Sequence, residues 1–354
     1  MKRDLLAAVE GIGRIRQVMP TGRHKKKPWL GVTLVVALCV VYCAVFTAIL
    51  VAQNGWLKCA LAALLGLTTG VLFVVGHDAS HCSLLHSAAA NRWLARICFL
   101  PSAHPNETWD SEHNRQHHSW TNLATKDGGY PPLTLAQYMV LSPLAKAWHR
   151  LGYTLPFIAV GYLTIWWRSQ IRIYKPRSGM VRSTAIYWFE VAAIAGFFAL
   201  QTFTVWQFGA WVGQGTAWFA AEWLACIALP FYVWNTTMAF VTIQHHTHPN
   251  LRWYDNQAEW SVFAGQVEGT VHVTWPLWFD LAFHNIFQHT AHHADKHVPL
   301  YRLRESQRAL SNAFPQAVTV QKGSLRNLSA VLKTCRLYDY QSHRWMGWDG
   351  GHTS

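Results

Sequence analysis

No CxxC pair occurs among the seven cysteines of this 354-residue chain, and there is no glycine-rich dinucleotide fingerprint, internal repeat or low-complexity linker. The first two absences exclude a built-in dithiol centre, a cysteine-clustered structural zinc site and a nicotinamide-binding half. The last two leave a single domain with elaborations. A cleavable signal peptide is also missing, because the first 28 residues are too charged to contain its apolar stretch. Charge is absent over a long interval: from Trp29 to Leu57 there is no Asp, Glu, Lys or Arg. That exceeds the roughly 20 apolar residues a bilayer-spanning helix needs.

What is present follows the same theme. Leu57 to Gly76 is a second apolar run with Lys58 at its start, and Thr184–Val205 and Trp218–Ile243 are a third and fourth, carrying one acid each, Glu190 and Glu222. The expected fold is therefore all-α and integral to a membrane, with four transmembrane helices in two hairpins. Snorkelling or interfacial placement is the expectation for both acids. Net charge is +13, yet nucleic acid is not the expected partner: all but one of the 30 Lys and Arg fall outside the paired spans, in three segments that share one side if both hairpins enter from it. The positive-inside rule makes that side cytoplasmic. Arg23, His24 and Lys25 to Lys27 then stand where they can meet anionic headgroups. Tyr153–Trp167 is expected as an interfacial helix, because a crossing there would send Arg168, Arg172, Lys175, Arg177 and Arg182 outside. Cys39 and Cys43 read as packing residues, while Cys82, Cys98 and Cys335 would be kept reduced in the cytoplasm. Leu303–Phe314 and Ser324–Cys335 are predicted as amphipathic helices, and the Gly-rich tail after Trp348 as loose. The expected divisions are a basic N-terminal tail, 1–28, a membrane domain, 29–300, and C-terminal helices and tail, 301–354.

Twenty histidines are an excess, and eight of them fall in three short boxes: His77 and His81; His113, His117 and His118; His289, His292 and His293. Residues three and four apart share a helix face, so each box aims two or three imidazoles one way. Box one begins where the second span ends, box two follows about thirty residues later and box three lies beyond span four. Eight nitrogens overfill one metal but suit two, and imidazole alone does not choose among Zn, Cu, Fe and Ni. Asp78, Glu112, Asp255 and Asp295 are candidates to orient the imidazoles from behind. His86, His104, His149, His272, His284 and His297 fit no box and are expected to be ordinary polar residues, except that His284 is close enough in sequence to box three to stand behind its ligands.

The forms HxxxH, HxxxHH and HxxHH resemble those of the membrane fatty-acid desaturase and hydroxylase superfamily. The flanks carry the resemblance further: Gly76-His-Asp-Ala-Ser-His81, Trp109 before His113-Asn114, and Thr121-Asn122 after box two are similar to acyl-lipid desaturases. The stretch from Gln244 through Pro249, then Tyr254-Asp255, Glu259-Trp260 and His284-Asn-Ile-Phe, resembles the delta-12 branch, although His245 stands where that branch has Gln. The resemblance implies a histidine-rich di-iron cap on the cytoplasmic face, two non-haem iron ions with O2 as co-substrate, and a ninth ligand before box three, on the last span or just after it. His246 matches the ninth position best, with His245 and His248 as competitors.

It further implies oxidation of a fatty-acyl chain, carried as a fatty acid, acyl lipid or acyl thioester, with desaturation to an alkene as the expected outcome. Hydroxylation and oxidative decarboxylation are the rivals within the same chemistry, and a non-enzymatic membrane metal-binding protein is the rival outside it. Because the chain lacks its own electron-carrying motif, a ferredoxin or b-type cytochrome with its reductase is implied. The expected location is a membrane, the bacterial inner membrane, with both termini and the site cytoplasmic. Topology reporters placed after Asn54 and Gly215 should report the outer side and those after Gly179 and at Ser354 the cytoplasm. An outward signal from Gly179 would make Tyr153–Trp167 a span and separate box two from box three.

Overall fold

The computed structural model describes residues 11–129, 131–166 and 181–354. The charges expected at Arg168, Arg172, Lys175 and Arg177, together with Trp167, lie outside the described residues. The chain forms two compact units. The described residues within 26–110 and 167–238 make the first, and those within 1–25, 111–166 and 239–354 make the second.

Among the described residues, four helices are long and apolar enough to cross a membrane: α1, Pro28–Val51; α2, Gly55–Ser80; α3, Thr184–Trp211; and α4, Thr216–His246. The shortest has 24 residues, about 36 Å at 1.5 Å per residue, against a hydrocarbon core of about 30 Å. Local sequence sets their starts. Pro28 sits in the first turn of α1, where its missing N–H costs nothing. Asn54 and Ser183 cap α2 and α3 by accepting from the N–H of Leu57 and Ile186. Val36, Val40, Phe189, Leu200, Phe203 and Trp206 stand exposed along α1 and α3. Such a surface suits lipid rather than water.

Within the first unit, α2 meets α4 through two glycines four residues apart. A Cβ on Gly66 would stand 2.6 Å from both the Pro230 carbonyl oxygen and Val233 Cβ, and one on Gly70 would stand 2.8 Å from Thr237 Cγ2. Without a hydrophobic force between helices in lipid, this close approach supplies the packing.

Several polar groups in these helices have partners. Gln201 donates to the Tyr42 hydroxyl at 2.7 Å, and Lys58 pairs with Glu222. Glu190 accepts from Arg96 at 2.6 Å and from the Glu107 N–H at 2.8 Å. The snorkelling expected for Glu190 and Glu222 is therefore corrected: both are buried. Each has a cation at hand, which offsets the cost of burying a carboxylate.

The second unit is built around the segments that carry boxes two and three. Ile15, Met19, Val267, Ala291, Ala294, Val298, Leu303 and Leu310 form one core, and Trp253, Val331, Cys335, Tyr338, Tyr340 and Trp345 another. The predicted C-terminal helices are α6, Leu303–Ala313, and α7, Leu325–Thr334; Ser324 caps α7. The box-three helix, α5, is His289–Ala294.

Strict all-α architecture is also corrected. β1, Val271–Thr274, pairs in parallel with β2, Thr319–Lys322, and β3, Leu337–Asp339, pairs antiparallel with β4, Arg344–Met346. Nor is the tail loose, since the Thr353 N–H reaches the Trp345 carbonyl at 2.8 Å and the Thr353 hydroxyl reaches the Thr334 carbonyl at 2.6 Å. Gly350, at φ +85°, allows the reversal that brings it back.

Tyr153–Trp167 contains only an eight-residue α-helix among the described residues, Ala159–Trp166, about 12 Å long. The basic run before α1 is engaged with protein. Arg23 and His24 meet Asp295 at 2.8 and 2.7 Å, and Lys26 donates to the Cys82 and Leu85 carbonyls at 2.7 and 2.9 Å.

Gly66→Val should lower stability by about 1–3 kcal/mol, as overpacking does when backbone cannot yield. Gly196→Ala, whose Cβ meets nothing within 4 Å, should leave the detergent-solubilised protein as stable or slightly more so. Equal thermal losses in the two variants would refute the close α2–α4 contact.

Candidate metal centre

Box two lies in one continuous helical run: Asn106–Trp109 is α-helical, Asp110–His117 is π-helical and His118–Trp120 is α-helical again. This alters the expected sharing of faces. The wider π turn brings residues five apart over one another, so His113 and His118 approach to 3.2 Å between their Nε2 atoms. His117 is left pointing elsewhere. On α5, His292 and His293 are neighbours and so diverge by about 100°. His292 Nε2 lies 3.1 Å from His118 Nε2.

Two groups of imidazoles result within the second unit. His113, His118 and His292 bring ligand nitrogens within 4.8 Å of one another, as do His117, His246 and His293. His289 joins the latter through His246, Nε2 to Nε2 at 2.8 Å. In the first unit, His77 and His81, one turn apart at the end of α2, bring their Nε2 atoms to 3.3 Å.

The second group shows how its rings are held. His117 Nδ1 donates to Asp127 at 2.7 Å, and His293 Nδ1 has Thr121 Oγ1 at 3.1 Å and Gln266 Oε1 at 3.2 Å. His246 Nδ1 faces the Gly269 carbonyl at 3.4 Å. When Nδ1 carries the proton, Nε2 is a bare lone pair. The Nε2 atoms of His117 and His246 are 3.1 Å apart, so lone pair faces lone pair. Buried His293 Nε2 has no hydrogen-bond partner among the described residues.

A cation resolves both features. Two nitrogens bound at about 2.1 Å and roughly right angles stand about 3 Å apart, the spacing seen here. Burial, followed by neighbouring imidazoles, holds His289 and His293 well below the usual histidine pKa. They are therefore neutral, the form that ligates.

Asp127 was not evident from the boxes. It lies ten residues past His117, in the turn before Gly128-Gly129, and it also accepts from the N–H groups of Asn122 and Gly129 at 2.8 and 2.7 Å. Burial alone would raise its carboxyl, but adjacent His117 and the Gly129 N–H hold it below the ordinary range. Gln266 is a second missed residue: besides facing His293, it donates to the His118 carbonyl at 2.8 Å.

Of the expected orienting acids, Asp78 Oδ1 lies 3.5 Å from His77 Nδ1, Asp255 is exposed and Glu112 lies near Tyr162. Asp295 faces Arg23 and His24. Among the competitors for the ninth position, His245 stacks face to face on His289, with ring centroids 3.7 Å apart. His248 Nδ1 instead accepts from the Asn250 N–H at 3.1 Å. His104, outside the boxes, is buried against Phe73 and Trp234 and pushed down by burial to about 3.

Fold and site together define a helical protein with four membrane-length helices and a buried polyhistidine centre. The fatty acid desaturase family model matches residues 54–323, and the chain belongs to that family. It is 25% identical over 293 residues to a chloroplastic omega-6 fatty acid desaturase of Spinacia oleracea, covering 82% of this chain and 62% of that protein. With an sn-1 oleoyl-lipid 12-desaturase of Picosynechococcus sp. it shares 29% identity over 325 residues, covering 88% and 85%. The corresponding protein of Synechocystis sp. is 27% identical over 271 residues, covering 75% and 72%. The chain thus spans less than two thirds of the length of the chloroplastic relative.

Asp127→Ala should weaken metal binding about 10- to 100-fold, the usual cost of removing a carboxylate behind a ligating imidazole. His248→Ala should not. Unchanged metal affinity in Asp127→Ala, measured by competition with a chelator, would remove Asp127 from the centre.

Proposed function

We propose that this chain desaturates the fatty-acyl chain of a lipid, using O2 and two externally supplied electrons at a site of nine histidines. The reading is carried by the paired imidazole groups, whose inward nitrogens call for cations, within a family whose similar members named above are desaturases. His113, His118 and His292 would hold one iron, and His77 and His81 are the ligands proposed from box one. His117, His246, His289 and His293 would hold the other.

Two bound irons would supply the oxidising power that a methylene C–H bond requires and that no side chain here provides. The residues perform the remaining tasks. Asp127, Gln266, Thr121 and the Gly269 carbonyl would hold the Nδ1 protons of His117, His293 and His246 and keep those three Nε2 atoms aimed inward. Burial of the imidazoles excludes bulk water, and it keeps His289 and His293 unprotonated.

In the balanced reaction, two adjacent methylenes each lose one hydrogen and become an alkene. O2, those two hydrogens, two electrons and two protons become two waters. The electrons would come from a ferredoxin or b-type cytochrome with its reductase, docking at the cytoplasmic face. Both termini and the site would lie on that face of a bacterial inner membrane, with the spans paired as two hairpins. Desaturation is preferred to hydroxylation or decarboxylation because the relatives' names record alkene formation.

Purified protein supplied with ferrous iron, a reduced ferredoxin and O2 should convert acyl lipids to products lighter by two hydrogens, read by mass spectrometry. Free fatty acids and acyl thioesters tested in parallel define the carrier. A product heavier by one oxygen, or shorter by one carbon, would overturn desaturation. His117→Ala and His292→Ala should each abolish turnover, and retention of most activity by either would remove that residue from the ligand set.

A further inference from the structure

α5 has only six residues, too few to be stable by itself, yet it carries three imidazoles on which ligand geometry depends. Part of its support comes from the segment that precedes α1. Ile15 and Met19 are buried against Ala291 and Ala294 of α5 and against Val298, Leu303 and Leu310 beyond it. Arg16 donates from Nε to the Ala294 carbonyl at 3.0 Å, at the helix end where unsatisfied carbonyls favour a cation. Arg23 and His24 both reach one oxygen of Asp295, which is 1% exposed and follows the helix directly. Arg302 then returns to the Lys25 carbonyl at 3.2 Å. More than two hundred and fifty residues of chain separate the partners, so the contact is a chosen one rather than a neighbour effect.

We infer that residues 15–24 form a strap that positions box three, with Arg16 and Arg23 as positioning residues that fix α5 so that His289, His292 and His293 meet their partners from box two and α4. The inference rests on the reading of those imidazoles as metal ligands. Metal sites need ligands held within about 0.5 Å, and a short helix secured by apolar contacts alone can still slide or rotate. The guanidinium contacts fix its end. The segment preceding the first membrane-length helix is thereby part of the centre's scaffold.

The test compares the full-length wild-type chain with Arg16→Gln/Arg23→Gln and Arg16→Lys/Arg23→Lys. Ferrous iron retained against a chelator is measured, together with the spectrum of the nitric oxide adduct of the ferrous protein. The strap predicts about tenfold weaker retention in the Gln variant, the low end for disturbed outer partners of a metal site, with an altered adduct spectrum and partial recovery of both in the Lys variant. Wild-type retention and spectrum in the Gln variant would overturn it. If the double Gln variant fails to fold, Arg23→Gln alone, which keeps Arg16 and the apolar anchors, decides by the same two readouts. A wild-type chain that retains no iron at all would overturn the metal reading and the strap with it, an outcome distinct from a difference between variants.

Discussion

The site depends on holding imidazole lone pairs toward one another inside a dry interior. Left alone, such an arrangement repels, and in water the rings would protonate or turn away. Here three rings of the second group have their other nitrogen beside an oxygen: Asp127 behind His117, Gln266 and Thr121 behind His293, and the Gly269 carbonyl facing His246. Those ties fix the tautomer, and burial keeps His289 and His293 neutral. The interior is thus prepared for cations before one binds.

This constraint explains local features that would otherwise look unrelated. The π-helical stretch at Asp110–His117 divides box two between the two groups, His113 and His118 to one and His117 to the other. Adjacent positions on α5 divide box three in the same way. The close glycine contacts of α2 with α4 and the buried Lys58–Glu222 pair give the membrane-length helices specific partners where hydrophobicity cannot.

Much of this was legible in the sequence. The long apolar runs pointed to the four long helices, and the histidine spacings pointed to residues that the structure brings near one another within each unit. Less visible was anything set by contacts distant in sequence. Asp127 carries no motif of its own and is recognised only when its turn folds back on His117. The acids suggested by proximity to the boxes proved poorer guides, because Asp295 is held by Arg23 and His24 and Asp255 points outward. Glu190 and Glu222 were misjudged because hydropathy cannot reveal that Arg96 and Lys58 would meet them. The short β pairs were missed because four-residue strands such as Val271–Thr274 carry too little periodicity to stand out.

The partition of the histidines into two metal positions is tested most directly by titrating the metal-free protein with ferrous iron under anoxic conditions. The account predicts an endpoint at two irons per chain, falling to one when His117 and His293 are both replaced by Ala. An endpoint of one in the unaltered chain, or of two in the doubly substituted one, would contradict it.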